Sequence, residues 1–218
     1  MKKIVFVLSL ISFSLFAQAE SIVNGVVKGL KKGKAEITYT HPITMQRSTW
    51  TSEVEKGKFS IKLDIKTATM LTMSIEKEQT NIYLAPNKTL NVNLDFKEFD
   101  ESLVYSGDYA NENNFLKAYY LEFEDEGKDP TRSWFSDLES EDYQKSHKER
   151  LERKIALLDN FKAKNPLSDA FYGDWKTNET YFVNAMYLYY PGIKAYYSKK
   201  SKAEIVHEGY YSFLDDCD

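Results

Sequence analysis

The chain has 218 residues, a formal net charge of −4 at pH 7 and a single cysteine. This mild acidity argues against a nucleic-acid-binding protein, which needs a basic surface stripe. One cysteine excludes both an internal disulfide and a two-cysteine redox motif. The length suits one large domain or two small ones, and 16 tyrosines with 13 phenylalanines can fill a core without disulfide staples.

The N-terminus has the layout of a secretory signal peptide. Two lysines are followed by an apolar run and by the small-x-small cleavage site Ala17-Gln18-Ala19. The run is shorter than the roughly 20 apolar residues that span a bilayer. We therefore expect residues 1–19 to be removed and the mature chain to work in the periplasm or cell envelope, with no stable membrane span.

From Ser21 to Ser106 apolar and polar residues alternate, as in the run 90–96. Turn signals such as Lys56-Gly57-Lys58 separate the alternating runs. Short strands with one apolar face, about ten residues apart, are typical of an antiparallel sandwich or barrel. The predicted strands are 21–28, 34–41, 47–54, 58–65, 69–76, 80–84 and 88–95, with 102–106 as a candidate eighth.

After Gly107 the apolar spacing becomes helical. Gly107 frees the backbone to turn, and we expect Asp108 or Asn111 to cap the helix that follows. Four apolar stripes predict helices: Phe115, Leu116, Tyr119, Tyr120 and Phe123; Leu151, Ile155, Leu158 and Phe161; the aromatic stretch 170–190, ending at Pro191-Gly192; and, from Lys202, Ile205, Val206, Tyr210, Phe213 and Leu214.

These two periods predict an α+β protein. An N-terminal antiparallel β-sandwich is expected over residues 20–107, followed by a C-terminal helical segment over 108–218. The apolar stripe of the last helix runs almost to Asp218. Either the natural protein continues beyond this residue, or the helix ends in an acidic tail.

Cysteine and histidine do not mark a catalytic centre in this sequence. Cys217 has no base placed beside it by a recognisable motif. His41, His147 and His207 lie far apart, without a second ligand at metal-binding spacing, and we interpret them as scattered surface residues. No catalytic, cofactor-binding or metal-binding residue is assigned, and no cofactor is expected.

Acidic and aromatic clusters are the remaining candidates. The acidic stretches 122–127, 138–142 and 215–218 lack the ligand spacing of a calcium loop, so we interpret them as solvated helix ends. Paired tyrosines could stack on sugar rings, although aromatics at helical spacing more often belong to a core. These tyrosine-rich stretches are 119–120, 187–190, 196–197 and 210–211.

Four short motifs within residues 22–116 resemble a known family. They are Val23-Asn24-Gly25, Gly57-Lys58-Phe59, IYLAPNKTLNVNLDF (82–96) and LVYSGDYANENNFL (103–116). Together they look like the N-terminal domain, of unassigned function, that precedes the thioredoxin-like domain in TlpA-like thiol:disulfide interchange proteins of Bacteroidetes. The matching positions are Tyr83, Pro86, Leu90, Val92 and Asp95 in the third motif and Ser106, Gly107, Asn114, Phe115 and Leu116 in the fourth.

One departure from the family pattern is visible. Asn87-Lys88 replaces the usual Gly-Asp after Pro86. Asparagine tolerates the turn geometry that glycine supplies, so we expect the hairpin to persist without the acid.

The resemblance implies a non-catalytic accessory region that holds, positions or restricts partners for a thioredoxin-like reductase. In the family, the CxxC chemistry lies in a C-terminal domain that this sequence does not contain, so any oxidoreductase activity would reside there. The expected partner is a thioredoxin-like domain or an envelope protein. The alternatives are an exported module that binds a glycan or a protein and, third, a hydrolase with dispersed carboxylates.

Overall fold

The structure is a computed structural model that describes residues 20–125 and 138–216. Strands form the N-terminal half of these residues and helices the C-terminal half, which confirms the α+β class. All eight strands begin and end within two residues of their predicted bounds. They are β1 (Ser21–Lys28), β2 (Lys32–Thr40), β3 (Arg47–Glu55), β4 (Lys58–Leu63), β5 (Thr69–Ile75), β6 (Glu78–Leu84), β7 (Thr89–Asp95) and β8 (Val104–Gly107).

The strands form one curled sheet in the order β6-β5-β2-β3-β4-β1-β7-β8. β3 and β4 pair only at Glu55 and Lys58, beside their turn, so the sheet folds over at this hairpin. The two halves then face each other across a shared core, as in a sandwich. β1 pairs with β7 in parallel, so the sheet is mixed rather than antiparallel throughout. A parallel pair needs a crossover connection, and β2 to β6 supply it.

The alternating pattern places one apolar face of each strand in the shared core. Two of the short sequence motifs meet there: Gly25 on β1 lies opposite Phe59 on β4. A Cβ atom added at Gly25 would overlap the Phe59 ring, so the ring occupies the space that a side chain would need. The core residues that are at most 2% exposed include Val23, Ile37, Ile61, Met73, Ile82, Leu90 and Val92.

Helices and helical turns make up the second half of the described chain. Gly107 has a φ of +88°, so the chain turns there, as expected. Two short helical pieces, within 96–102, lie before it, between β7 and β8. The elements are a 3₁₀ turn (Phe96–Glu98), α1 (Phe99–Ser102), α2 (Ala110–Tyr119), a π-helical turn (Tyr120–Glu124), α3 (Ser140–Lys162), α4 (Asp169–Ser198), α5 (Lys202–Ile205) and a second 3₁₀ turn (Tyr210–Asp216).

The predicted cap of α2 is wrong. Tyr109 occupies the N-cap position in a left-handed conformation, and no side chain caps the helix. Asp108 instead accepts a hydrogen bond from the Thr89 N–H at 2.9 Å. Asn111 donates to the Pro166 carbonyl oxygen, also at 2.9 Å. Both candidate capping side chains therefore form tertiary hydrogen bonds instead of capping α2.

The predicted end of the third helix at Pro191-Gly192 is also wrong, because α4 runs on to Ser198. A proline inside a helix lacks the N–H that would bond the carbonyl four residues earlier, here that of Tyr187. The Tyr210 hydroxyl donates to this carbonyl oxygen at 2.8 Å. A side chain from the C-terminal segment thus replaces the missing intrahelical bond.

The last predicted helix is broken into two pieces. α5 ends at Ile205, and Val206 is extended. Gly209 has a φ of +76°, which an L side chain rarely adopts, and the 3₁₀ turn starts after it. This break brings Tyr210 back against α4.

We predict that Tyr210→Phe lowers the free energy of unfolding by about 1–2 kcal/mol, because it leaves the buried Tyr187 carbonyl without a donor. In a Pro191→Ala background the helix regains its own N–H, so the same substitution should cost less. Urea unfolding of the four chains of this double-mutant cycle measures the coupling. Equal costs in both backgrounds would contradict the assignment.

Candidate functional site

Two adjacent asparagines on α2 join the two edges of the curled sheet, β6 and β8. Asn113, fully buried, accepts from the Tyr83 N–H at 2.8 Å and donates to the Tyr83 carbonyl oxygen at 2.9 Å. Asn114 makes the same pair of bonds with Tyr105 on β8, at 3.2 and 3.3 Å. A side-chain amide offers one acceptor and one donor group, as a peptide unit does. α2 therefore occupies the place of a strand between the two edges.

The Tyr105 side chain of β8 is buried in the sheet core. Its hydroxyl has no hydrogen-bond partner among the described residues. Burial raises the pKa of the Tyr105 hydroxyl, so that it remains protonated. The hydrogen bonds that join the two edges are therefore those of Asn113 and Asn114 on α2.

The apolar face of α2 connects the sheet to the longer helices. Phe115 is fully buried and packs edge-on against Phe171 and Trp175 of α4, with ring centroids 5.9 and 5.1 Å apart. Tyr83 of β6 packs on Phe171 at 4.9 Å. One aromatic cluster thus contains residues from the sheet, α2 and α4.

A charged network lies where the π-helical turn, α3 and α4 meet. The Lys154 ammonium lies 2.7 Å from Glu179 Oε2, and the Lys154 side chain is only 3% exposed. The Tyr119 hydroxyl lies 3.1 Å from Glu179 Oε1 and 3.0 Å from Glu124 Oε1. The hydroxyl carries one proton, so it donates to one carboxylate at a time. Burial, with the charges of Glu179 and Glu124, raises the pKa of Tyr119.

Aromatic rings surround the cations of this network. Lys154 Nζ lies 5.1 Å from the Tyr119 ring centroid and 5.9 Å from that of Phe123. Arg153 lies 5.2 Å from the same Phe123 centroid and forms an ion pair with Glu122 at 2.8 Å. Cation–π contacts and buried ion pairs hold helices in one relative arrangement. The chemistry that this geometry supports is cohesion between helices.

The three histidines lie far apart in the structure, and one of them is not at the surface as predicted. His41 lies at the β2–β3 hairpin, where its Nδ1 accepts from the Ile43 N–H, and His207 lies beside Ser140. His147 is 9% exposed rather than on the surface. Its ring packs against Tyr143, with the centroids 4.3 Å apart and the planes tilted by 49°, and its Nε2 has no hydrogen-bond partner among the described residues.

Of the three acidic stretches that we interpreted as helix ends, only one lies wholly within the described residues. Residues 138–142 begin α3, with Glu139 as the N-cap. Residues 122–127 and 215–218, and with them Cys217, extend beyond the described residues. Across residues 20–125 and 138–216, no group of three or more His, Cys, Asp or Glu side chains could hold a metal ion. Within the same ranges, no helix is long and apolar enough to cross a bilayer.

The tyrosine-rich stretches divide into core and surface residues, because neighbours on a helix point about 100° apart. The interpretation as core is therefore correct for some members only. The buried members are Tyr187, Tyr190 and Tyr210, and the exposed members are Tyr120, Tyr189, Tyr196, Tyr197 and Tyr211.

An open depression of about 730 Å³ lies at one end of the sheet, between the β1–β2 and β3–β4 turns. Its lining carries both signs of charge on exposed side chains, so it selects no particular ligand charge. The lining residues are Lys31, Lys32, Glu53, Val54, Glu55 and Lys56.

A comparison with known protein families finds a match for the N-terminal part of the chain. Residues 21–114 match DUF4369, a domain of unknown function. The match ends within α2, at the asparagine that binds β8. The DUF4369 region therefore contains the whole curled sheet together with both asparagines that join its edges. Neither the curated proteins nor the solved structures contain a match to this chain.

Sequence reasoning did not single out Asn113, Lys154 or Glu179. Asn114 was noted only as a matching motif position. The doublet at 113–114, between a turn glycine and an apolar helix face, is the one available signal. Nothing in the sequence indicates that its amides bind two different strands.

We predict that Asn113→Leu lowers the free energy of unfolding by about 2–4 kcal/mol, because the buried N–H and carbonyl of Tyr83 lose their partners. Hydrogen exchange of the Tyr83 backbone amide should accelerate more than that of the amides in β5, a strand that Asn113 does not bind. Asn111→Ala, which removes an exposed bond to Pro166, is the control and should cost about 1 kcal/mol or less. Unchanged exchange at Tyr83 would refute the role of Asn113.

We also predict an acid-sensitive component of stability from His147. Burial, assisted by Arg150 and Lys154, lowers the pKa of this ring from 6.5 to about 4. The unfolded chain therefore binds the proton more readily, so this stability is complete above pH 6.5 and is lost as the pH falls toward 4.

The measurement is urea unfolding of wild type, His147→Phe and His147→Gln between pH 4 and 7. The difference in unfolding free energy between wild type and either variant should change by up to about 3 kcal/mol over this range. If the difference is independent of pH for both variants, His147 is not the acid-sensitive group.

Proposed function

We propose that this chain is the non-catalytic accessory region of an exported thiol:disulfide interchange system. Its role would be to position or recognise a thioredoxin-like partner in the cell envelope. The observation that carries the proposal is a stiff arm of α3 and α4 that extends from the DUF4369 region.

Three successive sets of contacts support the stiffness of this arm. The aromatic cluster around Phe115 fixes its base to the sheet. The ion pair of Lys154 with Glu179 joins α3 to α4 farther along. A second apolar cluster, without any residue from the sheet, packs the far end. Its buried members are Tyr143, Val183, Tyr187, Tyr190, Ile205 and Tyr210.

The dimensions of the arm suit a spacer. α4 has 30 residues and is therefore about 45 Å long, and the 23-residue α3 packs beside it. A helix pair of this length holds an attached or docked domain at a defined distance from the sheet. A flexible linker of equal residue number would sample many distances.

The extent of the DUF4369 match also supports the proposal. It covers residues 21–114, nearly the same stretch as the resemblance to the domain that precedes thioredoxin-like domains. The function of that domain is unassigned, so the match supports the family relationship and not a particular activity.

A glycan-binding module is the second candidate. Tyr189 and Tyr196 are 60% and 80% exposed on α4, and exposed aromatic rings can stack on sugar rings. This candidate needs no redox partner.

The test measures disulfide reduction by a thioredoxin-like protein of the same envelope, with and without the purified chain. We expect the chain to bind that protein and to change its rate on a disulfide substrate. Val183→Asp, which places a charge in the far cluster, should weaken the effect because it loosens the arm. Tyr197→Ala, an exposed change at the same end, is the matched control and should retain the effect.

Identical rates with and without the chain, and no binding, would overturn the proposal. Glycan-array binding that is lost in Tyr196→Ala would favour the second candidate instead. Sequencing past codon 218 establishes whether a thioredoxin-like domain belongs to the same polypeptide.

A further inference from the structure

We propose that the outer face of α4 forms an antiparallel, two-fold symmetric pair with α4 of a second copy of this chain. The evidence is a stripe of large apolar side chains on this face, which we call the α4 stripe. It consists of Tyr181, Leu188, Tyr189 and Tyr196, which are 55%, 53%, 60% and 80% exposed.

The α4 stripe lies on one side of the helix. Spacings of three, four and seven residues keep side chains on the same helix face. Ala185 and Gly192 fall between the large residues on this face. A Cβ atom built on Gly192 would meet only the flexible end of the Lys202 side chain, whose Cε lies 3.8 Å away, so a helix that approaches here displaces this end and no backbone. A second helix can therefore approach closely at these two positions.

The order of large and small residues along this face is the same in both directions. Two antiparallel copies, centred between Leu188 and Tyr189, place Tyr181 opposite Tyr196 of the second copy. The same register places Ala185 opposite Gly192, and Leu188 opposite Tyr189. Large residues then meet large residues, and small meet small. This is the self-complementarity that an isologous interface requires, in which residue i contacts j and j contacts i.

Charges at the ends of the stripe favour the same orientation. Asp174 is exposed near the start of α4, and Lys199 and Lys200 are exposed at its end. Antiparallel pairing brings the acid of one copy near the lysines of the other at both ends. Parallel pairing would place like charges together, which disfavours that arrangement.

The exposed area is sufficient for a specific contact. Three tyrosines and one leucine at these exposures offer on the order of 500 Å² per chain, so a pair of copies could bury about 1,000 Å². Tyrosine is also enriched at protein interfaces. This inference does not depend on the proposed function, since it rests on the α4 stripe alone.

The first test is sedimentation equilibrium of the purified chain over a range of concentrations. We expect a monomer–dimer equilibrium whose dissociation constant rises about 100-fold or more in Leu188→Glu/Tyr189→Glu. Val104→Glu introduces a charge at a 55% exposed apolar residue of β8, outside α4, and should leave the constant unchanged. Circular dichroism and urea unfolding check that each variant is folded. Tyr196→Ser is the milder second variant and should also weaken the dimer.

A charge exchange tests the orientation. Asp174→Lys alone, and Lys199→Asp/Lys200→Asp alone, should each weaken an antiparallel dimer. The combination of all three substitutions should restore it. A parallel dimer would not show this rescue, because like charges would face each other in every case.

A chain that remains monomeric at all concentrations would overturn the proposal. A dimer that Leu188→Glu/Tyr189→Glu leaves intact would overturn it too. If the chain is monomeric and the same variant abolishes binding of a thioredoxin-like protein, the α4 stripe docks that protein instead of a second copy.

Discussion

The architecture depends on the amide groups of Asn113 and Asn114. A curled sheet that does not close leaves unpaired N–H and carbonyl groups on both edge strands, and such edges are sites of aggregation. Here each asparagine satisfies one residue of one edge, Tyr83 on β6 and Tyr105 on β8. One short helix therefore completes a sheet that its own strands leave open, and it does so with two side chains that replace backbone hydrogen-bonding groups.

This closure links the two halves of the protein. The helix that binds both edges also carries Phe115, around which the base of the α3–α4 arm packs. The arm is stabilised farther out by the Lys154 network and by the hydroxyl that bonds the carbonyl of Tyr187, left free by Pro191. The orientation of the arm is therefore set by contacts that begin at the sheet edges. Such a pathway of contacts is what a positioning device needs, because stiffness at the tip requires a fixed base.

The buried ionisable groups of the helical half contribute to cohesion between its helices. Lys154, Glu179 and Tyr119 bind one another within an aromatic surround, and His147 is held neutral by burial. The surface of α4 has the opposite character, because its large aromatic side chains face solvent. A row of large apolar side chains exposed along one helix is suited to contact with another protein. The tightly packed interior of the arm supports the first proposal, and the exposed apolar side chains of α4 support the second.

The sequence by itself determined the class of the protein and the strand positions, because the alternation of apolar residues is a local pattern that the backbone must obey. It also predicted a turn at Gly107. It did not determine the parallel pair β1–β7, the capping of α2, the passage of α4 through Pro191 or the burial of His147. Each of these depends on a partner distant in the chain, such as Thr89 for Asp108 or Tyr210 for Tyr187. Only the tertiary structure brings these partners together, so it alone decided which local preferences prevailed.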